Sequence, residues 1–535
     1  MNVAQDKQNL IPASGKTSLL IGLGIASKMT VDLVIAARFG LGPQTDAFFV
    51  AYTLPLIIEA LIYPTCQSGL VPVFVRQMRF KQTDGIWTIF NTLFNIGFLA
   101  SMMLMVLGIV EAPWITSLLA PGVSLPTYEL SIHLTRILFV GTLIVGPVGV
   151  MRAFLNAQGL FTPPAMLELV RGIAILGVVF VGYRTYGIEA VALGYVIGGF
   201  LQFTTLFSAI IRKLGFGYRL TVNLKSLKSA RVGRFFMVPF ADYLLGQTIL
   251  ITERVIGSFM PVGSISAISY GHRLAAVITS VLFSGVEVVS LSALTADFSE
   301  GTPAHLHRAK KTFTAGLRLV LILGILVSTS VWALSFPLVR LLFERGAFDQ
   351  QATHLAAPVL GMYALSIPFY GYWLLLRNYL FAAVQLRKIL VLSFASTGVY
   401  MALALLLSRY MGARGVALAY VGGASVVFGL GFIGLDKELR PSQKMMISLI
   451  LKVVGASVMA SFLLYYISDQ ASLILSEMPH LPSFVILISS LTVASVPGVF
   501  LFLGLLVILQ VEEATSFLGY LKKVRVGWPS EIKPS

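Results

Sequence analysis

Charged side chains lie inside long apolar segments of this chain, and their chemistry sets the first question. An ionised side chain in the middle of a membrane helix costs about 3 kcal/mol on insertion scales, so it normally faces a partner or a water-filled cavity. Basic groups there suit the binding of an anion, and acidic groups suit the transfer of a proton or a cation. The predicted anion-binding residues of this kind are Lys28, Arg171, Arg254 and Arg273, and the predicted coupling or cavity acids are Asp32, Glu59, Asp242 and Glu287.

The spacing of these residues groups several of them. Lys28 and Asp32 are four residues apart, and Arg273 and Glu287 are fourteen residues apart, so each pair lies on a similar face of one helix. The charges occur in both halves of the chain and concentrate in the first spans of each half. This distribution predicts a hydrated, positively charged cavity between two lobes.

Other kinds of chemistry have little support in the sequence. Cys66 is the single cysteine, which excludes a disulfide framework and a cysteine-based metal site. The six histidines are scattered without a metal-ligand spacing. No nucleotide-binding loop of the GxxxxGK[ST] type occurs. The sequence therefore predicts no metal, no cofactor and no direct use of ATP.

The elements that position these charges are membrane helices. Of the 535 residues, 57% are hydrophobic and 12% are charged, whereas a soluble domain has roughly 25% charged residues. The net charge of +16 does not indicate a nucleic-acid partner, because the basic residues lie in alternate connectors between apolar spans. The pattern predicts an all-α polytopic membrane protein with about fourteen transmembrane helices, namely two homologous six-helix lobes and a C-terminal helix pair.

The apolar segments give the approximate positions of these helices. A helix needs about 20 apolar residues to cross a bilayer. The predicted spans lie near 17–38, 46–75, 86–110, 128–156, 164–183, 188–211, 232–260, 264–298, 313–337, 353–383, 389–408, 414–434, 449–468 and 483–509. The last two spans carry almost no charge, so we expect them to face lipid.

A repeat in the sequence arranges the spans into two lobes. Residues 187–198, GIEAVALGYVIG, and residues 412–423, GARGVALAYVGG, share the spacing of their Gly, Val-Ala-Leu and Tyr-Val residues at a shift of 225. Many transporters built from duplicated bundles have their substrate site at the interface between the halves. The predicted domains are an N-terminal lobe at 1–222, a C-terminal lobe at 223–440, and two extra transmembrane helices with a cytoplasmic tail at 441–535.

The distribution of Lys and Arg between connectors predicts the orientation. Short cytoplasmic connectors carry an excess of these residues in membrane proteins. Most of the basic residues lie in the connectors on the side of the N-terminus, and the opposite connectors hold Arg184, Arg340, Arg345, Arg409 and Arg414. We therefore predict a multi-pass protein with both termini in the cytoplasm.

Five segments resemble one family. Residues 36–55, AARFGLGPQTDAFFVAYTLP, resemble the signature from the first to the second helix of the MurJ/MviN family of lipid-linked murein precursor flippases. Further matches are LLAPG at 118–122, FLNAQGLFTPPA at 154–165, GSISAISYGHRL at 263–274 and LLFERGAFD at 341–349. The likeness covers nearly the whole chain and implies the fold of the multidrug, oligosaccharidyl-lipid and polysaccharide exporter superfamily. Its members resemble one another in using alternating access between two six-helix lobes.

The resemblance implies a function, a location and additional site residues. It implies a flippase of the bacterial inner membrane that moves lipid II, a polyprenyl-diphosphate-linked precursor, outward for peptidoglycan synthesis and cell shape. Asp46 in the TDAFF motif and Arg273 in the SYGHRL motif match family positions, as does Asp32, and by this resemblance Asp46 is also predicted to bind substrate. Val31 and Glu59 stand where the family usually has arginines. The implied partners are the lipid-linked glycan, membrane lipid and the cell-wall synthesis machinery, and the implied state is a monomer.

Two other transport functions remain open at this point, as does a transport-inactive paralogue that serves as a scaffold. The first is a flippase for another lipid-linked oligosaccharide, which would use the same kind of cavity. The second is an ion-coupled exporter of small cationic molecules with the same fold, in which the intramembrane acids bind protons or cations. An enzyme is not favoured, because the outer connectors are short and hold few acidic residues that could act in catalysis.

Overall fold

The structure, a computed structural model, describes residues 3–79, 83–215, 217–223, 232–299, 303–435, 440–476 and 483–515. Within these ranges the chain is helical and forms no β-strand, which confirms the all-α prediction. The first nine helices are α1 Val3–Phe39, α2 Pro43–Arg79, α3 Thr83–Val110, α4 Ala112–Leu119, α5 Leu125–Val140, α6 Val145–Ala157, α7 Thr162–Ala165, α8 Leu167–Tyr186 and α9 Glu189–Leu214. The later ones are α10 Val232–Ser258, α11 Ser264–Ser299, α12 Pro303–Ala333, α13 Ser335–Phe343, α14 Gln350–Ala364, α15 Ile367–Ala382, α16 Leu386–Met411, α17 Ala413–Gly434, α18 Gln443–Ser476 and α19 Ser483–Ile508.

Most of these helices are long and apolar enough to cross a membrane. Twelve candidate spans occur within the described residues, and the pair α14 and α15, bent by 42°, raises the number to thirteen if it is one span. Helix α10, which corresponds to the predicted seventh span, is not among the candidates. Its four charged residues, Arg234, Asp242, Glu253 and Arg254, lower its hydropathy. By length and composition, the described residues therefore give twelve or thirteen candidate spans, against the about fourteen that the sequence predicts.

Large apolar side chains cover the outer faces of these helices. Phe180, Val181, Phe462 and Ile508 are exposed over 80%, 82%, 71% and 74% of their surface. Extended apolar surface of this kind is unfavourable in water and is suited to contact with lipid. The described part of the chain is therefore a multi-span membrane protein.

The order of elements repeats at the shift of 225 residues seen in the sequence. Helix α14 begins 225 residues after α5, and α17 begins within one residue of the same shift from α9. Two short helices were not predicted, since α4 and α13 lie in stretches that the sequence assigns to outer connectors or span ends. They occupy corresponding places in the two halves, so the duplication includes the connectors as well as the spans.

Two predicted spans are interrupted. The span predicted at 128–156 consists of α5, a 3-10 turn at Gly141–Ile144 and α6, and the span predicted at 353–383 is broken between α14 and α15. Pro147 and Pro368 lie in the first turns of α6 and α15. Proline lacks a backbone N–H and fits the first turn of a helix, so it favours a new helix start at these points.

By its internal contacts the chain forms two compact units. Unit one comprises Met1–Tyr270, Phe343–Ala356 and Ile389–Ala419. An aromatic cluster lies in its core, where the Phe154 ring centroid is 5.2 Å from that of Phe74 and 4.6 Å from that of Phe90. This cluster holds α2, α3 and α6 together.

Unit two comprises Gly271–Leu342, Ala357–Lys388 and Tyr420–Ser535. Helix α12 packs on α15 and on α18, and the Ser461 hydroxyl on α18 donates to that of Thr329 on α12 at 3.0 Å. The Arg318 guanidinium on α12 pairs with Glu512 and Glu513, which follow the last span. The boundaries between lobes at 222 and 440 stay a prediction.

Candidate functional site

A small polar cavity lies inside unit one. Its volume is about 60 Å³, enough for about two water molecules at roughly 30 Å³ each. The cavity is formed by four helices that are otherwise largely apolar. Its lining residues are Lys28 and Val31 of α1, Tyr52, Leu56 and Glu59 of α2, Glu168, Arg171, Gly172 and Ile175 of α8, and Tyr195 of α9.

A charged network forms one wall of the cavity. The Arg171 guanidinium donates from Nη1 to Glu59 Oε2 at 2.6 Å and from Nη2 to Glu59 Oε1 at 2.9 Å. Nη2 also donates to Gln202 Oε1 at 2.7 Å, and Gln202 Nε2 donates to the Leu167 carbonyl at 2.8 Å. A two-pronged arginine–carboxylate pair of this kind fixes both distance and plane. Arg171, predicted to bind an anion, and Glu59, predicted to be a coupling or cavity acid, therefore form one ion pair.

Glycines let the helices approach closely enough to build this network. A Cβ atom on Gly172 would lie 1.9 Å from Ser27 Oγ, so α8 and α1 could not pack as they do with a larger residue there. A Cβ atom on Gly198 would lie 3.0 Å from Cγ of Arg171, which shows that α9 runs directly along the arginine stem. Small residues serve the same purpose in membrane helix interfaces generally.

Two further charges complete the cavity. Lys28 is exposed overall, but it contributes to the lining from α1. Glu168 lies one turn before Arg171 on α8 and lines the same space. The cavity thus combines two cations, Lys28 and Arg171, with two carboxylates. Such a set can bind an anionic group or exchange partners, and the predicted role of Lys28 in anion binding stays a prediction.

Asp46, predicted to bind substrate, lies elsewhere in unit one. Its carboxylate accepts the backbone N–H of Gly263 at 2.6 Å and that of Ser266 at 2.8 Å, and it also accepts the Ser266 hydroxyl. These groups belong to the start of α11, where unpaired backbone N–H groups attract a negative charge. Asp46 is 4% exposed, and both of its oxygens are occupied within the protein. These contacts suit a positioning role for Asp46, and its predicted contact with substrate stays a prediction.

Arg254 is also buried in unit one. Its Nε donates to the Thr53 hydroxyl at 3.1 Å, and its guanidinium carbon lies 5.6 Å from the centre of the Phe49 ring. Its neighbour Glu253 is fully buried. Arg254 is not among the residues that line the described cavity, and its predicted contact with substrate stays a prediction.

Arg273 and Glu287 belong to unit two, on α11. Arg273 is half-buried, and the adjacent His272 ring stacks on Tyr363 with a centroid distance of 5.0 Å. The Glu287 side chain is exposed, and its backbone carbonyl accepts Nδ2 of Asn378 at 2.9 Å. The predicted substrate contact of Arg273 and the predicted role of Glu287 as a cavity acid stay predictions.

The other predicted acids are in unit one. Asp32 is buried on α1, one turn after Lys28. Asp242 on α10 is buried and accepts the Ser393 hydroxyl of α16 at 3.0 Å. Within the described residues, no three His, Cys, Asp or Glu side chains are placed to hold a metal ion. The coupling roles of Asp32 and Asp242 stay predictions.

Sequence reasoning missed three parts of the site. Gln202 is neutral, so a search for charges in apolar spans passed over it, although a buried amide in a membrane helix is itself a signal. Glu168 was overlooked because it stands at the start of a predicted span. The rings of Tyr52 on α2 and Tyr195 on α9 are in contact at the cavity wall, tilted by 48° with centroids 4.5 Å apart, and the sequence does not show that these two residues meet.

The duplicated order of membrane helices and the buried charged cavity define a helical membrane transporter. The family model described as lipid II flippase MurJ matches residues 35–482. The chain therefore belongs to the MurJ family of lipid II flippases, which confirms the family resemblance.

Individual relatives and solved structures agree with this family. A probable lipid II flippase MurJ of Thermotoga maritima is 25% identical over 412 residues, covering 77% of this chain and 81% of the relative. A lipid II flippase MurJ of Burkholderia cenocepacia is 26% identical over 367 residues, covering 67% and 70%. A structure of lipid II flippase MurJ in an inward closed conformation aligns with a TM-score of 0.74 and 21% identity over 92% of this chain and 98% of the other. An inward-facing MATE-family transporter of the MOP superfamily aligns with a TM-score of 0.67, 15% identity and coverage of 81% and 95%, which supports the fold.

Proposed function

We propose that this protein is a flippase that moves lipid II, a polyprenyl-diphosphate-linked precursor of peptidoglycan, from the inner to the outer leaflet of the bacterial inner membrane. Membership of the MurJ family supports this proposal. The observation that connects this function with particular residues is the charged cavity of unit one. Lys28 and Arg171 line this cavity inside an apolar helix bundle. A diphosphate needs cationic donors in such surroundings, whereas the polyprenyl tail is stable in lipid.

The chemistry of the substrate fits a transporter that makes and breaks no covalent bond. The headgroup enters a polar cavity, the lobes at 1–222 and 223–440 alternate their access, and the tail stays among the acyl chains. Arg273, Arg254 and Asp46 are proposed to assist binding or to position the helices. Membrane potential acting on the cavity charges, about 2.3 kcal/mol per charge per 100 mV, is a sufficient source of energy. We propose that a monomer works in this way beside the cell-wall synthesis machinery, with both termini in the cytoplasm.

Complementation of a bacterial strain whose own lipid II flippase is depleted tests the function. Expression of this chain should restore growth and remove the accumulated lipid II. Arg171→Gln should restore neither, because the cavity then loses its buried cation. Arg136→Gln is the matched control, since Arg136 is exposed on α5 and does not line the cavity. It should behave as the wild type.

The other outcomes separate the alternative functions. Failure of the wild-type chain to restore growth, with normal expression in the membrane, would contradict lipid II as substrate. Rescue of a strain blocked in another lipid-linked glycan would then favour that class of flippase. A change in susceptibility to cationic drugs, without any effect on envelope synthesis, would instead favour the small-molecule exporter.

A further inference from the structure

The buried pair of Glu59 and Arg171 has an unusual feature for a binding site. Arg171 is 6% exposed, and three of its donor contacts go to Glu59 and Gln202. Its Nε–H is also buried, and none of the residues that the structure describes offers it a hydrogen-bond acceptor. A buried donor without an acceptor is unfavourable, so the guanidinium can still take another oxygen.

The charge of the cavity lining limits how strongly Arg171 binds an anion while it is paired with Glu59. Lys28 and Arg171 supply two positive charges, and Glu59 and Glu168 supply two negative ones, so the lining is formally neutral. A phosphate group gains little from a guanidinium that already holds a carboxylate in a two-pronged pair. Arg171 therefore becomes a strong anion site only when Glu59 leaves it.

The contacts of the two partners show which of them can move. Glu59 is only partly buried, with 18% of its side chain exposed. Arg171, in contrast, is also hydrogen-bonded to Gln202, and Gln202 donates to the Leu167 carbonyl. The carboxylate is thus the partner that can move, and the guanidinium is the one that stays.

We propose that Glu59 is a built-in competitor for Arg171, and that a diphosphate group binds by displacing the Glu59 carboxylate from the guanidinium. This inference rests on the proposed function, because it names the group of the substrate that Arg171 receives. The phosphate oxygens replace the two carboxylate oxygens on Nη1 and Nη2, and a third oxygen accepts the vacant Nε–H. Gln202 keeps the guanidinium in place during the exchange. The exchange selects for ligands with two or more negative charges, since a monoanion gains no more than Glu59 already provides.

Binding of inorganic pyrophosphate to the purified full-length protein, measured by titration calorimetry, tests this exchange. Glu59→Gln should tighten binding about ten- to a hundredfold, as expected for the loss of a competing charged hydrogen-bonded partner. Glu168→Gln is the matched control, because it removes one carboxylate from the same lining without freeing the guanidinium. It should tighten binding clearly less. Combining Glu59→Gln with Arg171→Gln should remove the gain.

A second variant and two lipid ligands extend this test. Glu59→Asp retains the charge but shortens the side chain, so it should fold and give an intermediate gain even if Glu59→Gln does not fold. Farnesyl diphosphate should respond to Glu59→Gln as pyrophosphate does, whereas dioleoylphosphatidylglycerol, a monoanion, should not. An equal response of phosphatidylglycerol would overturn the diphosphate assignment.

The outcomes also separate this inference from the proposed function. Equal gains for Glu59→Gln and Glu168→Gln, or no gain for Glu59→Gln and Glu59→Asp, would overturn the competition, even if the chain supports growth of the flippase-depleted strain. A gain confined to the Glu59 variants would support the competition, even if the chain fails to support growth. In that case the flippase proposal alone would be wrong.

Discussion

Asp46 is a carboxylate with no free oxygen, and this determines what a substitution there should do. Asp46→Asn keeps one acceptor but turns an amide N–H group towards a backbone donor at the start of α11. Lost hydrogen bonds to a charged group are worth about 1.5–3 kcal/mol, and the negative charge near the helix N-terminus is lost as well. We expect the purified variant to unfold at a clearly lower temperature than the wild type, as monitored by size-exclusion chromatography after heating.

Ser266→Ala provides the graded comparison. It removes the hydroxyl donor and leaves both backbone N–H donors on Asp46, so its unfolding temperature should fall between those of the wild type and Asp46→Asn. If Asp46→Asn proved as stable as the wild type but inactive in complementation, the positioning role would be wrong and direct contact with substrate would be favoured.

Single residues of the candidate site were predictable, but their pairing was not. Arg171 and Glu59 stand out in the sequence because charges in apolar spans are rare. They are 112 residues apart, and their contact depends on how α2 packs against α8, which periodicity does not reveal. Gln202 carries no charge, so a search for charged residues in apolar spans does not detect it. The charges could therefore be predicted, whereas the neutral residue that orients them required the structure.

At the scale of elements, the segment after α9 is fixed to α3. Asn91 Nδ2 donates to the Gly217 carbonyl at 2.9 Å, Asn95 Nδ2 donates to the Thr221 carbonyl at 2.9 Å, and the Tyr218 hydroxyl donates to Asn95 Oδ1 at 2.9 Å. The sequence predicts only a connector between two spans here. The buried amides of α3 that hold it were not recognised.

Asn95→Leu should loosen this attachment. It removes the side-chain partners of Tyr218 and of two backbone carbonyls, so local opening becomes about 1–2 kcal/mol easier, roughly a five- to thirtyfold change in the open population. Trypsin should cleave after the exposed Arg219 correspondingly faster in inverted membrane vesicles. Asn156→Leu on α6 is the control, since its amide donates to Gln67 instead. Equal cleavage of the two variants would contradict the attachment.

The long spans could be predicted from apolar runs, whereas the short helices could not be found in the same way. A window of about 20 residues detects a span and overlooks an eight-residue helix such as α4. The spacing of Ala112, Ile115, Thr116 and Leu119 in the sequence is nevertheless that of one helix face, and all four residues are buried. The breaks within the predicted fourth and tenth spans depend on prolines whose effect is local, and the sequence alone did not show which proline interrupts a helix.

At the scale of the whole molecule, helix α10 decides whether the number of spans is even. Among the described residues, the twelve candidates and the bent pair make thirteen crossings without α10 and fourteen with it. Helix α10 has 27 residues, about 40 Å at 1.5 Å per residue, which exceeds the roughly 30 Å of the hydrocarbon core. Three of its four charged residues, Asp242, Glu253 and Arg254, are buried within unit one, exposed by 9%, 0% and 2%. They lower the hydropathy of α10 without meeting lipid, so we infer that α10 crosses the membrane.

An even number of crossings requires both termini on one side of the membrane, and the distribution of basic residues predicts that this side is the cytoplasm. Alkaline phosphatase, which is active only outside the cytoplasm, should therefore be inactive when fused to either terminus, and green fluorescent protein should be fluorescent at both. A phosphatase fusion to the chain shortened after Leu475, at the end of α18, is the control and should be active. Active phosphatase at one terminus alone would mean an odd number of crossings. In that case α10 would not span the membrane. The helices of the N-terminal lobe and the corresponding helices of the C-terminal lobe would then cross the membrane in opposite orientations rather than in the same one.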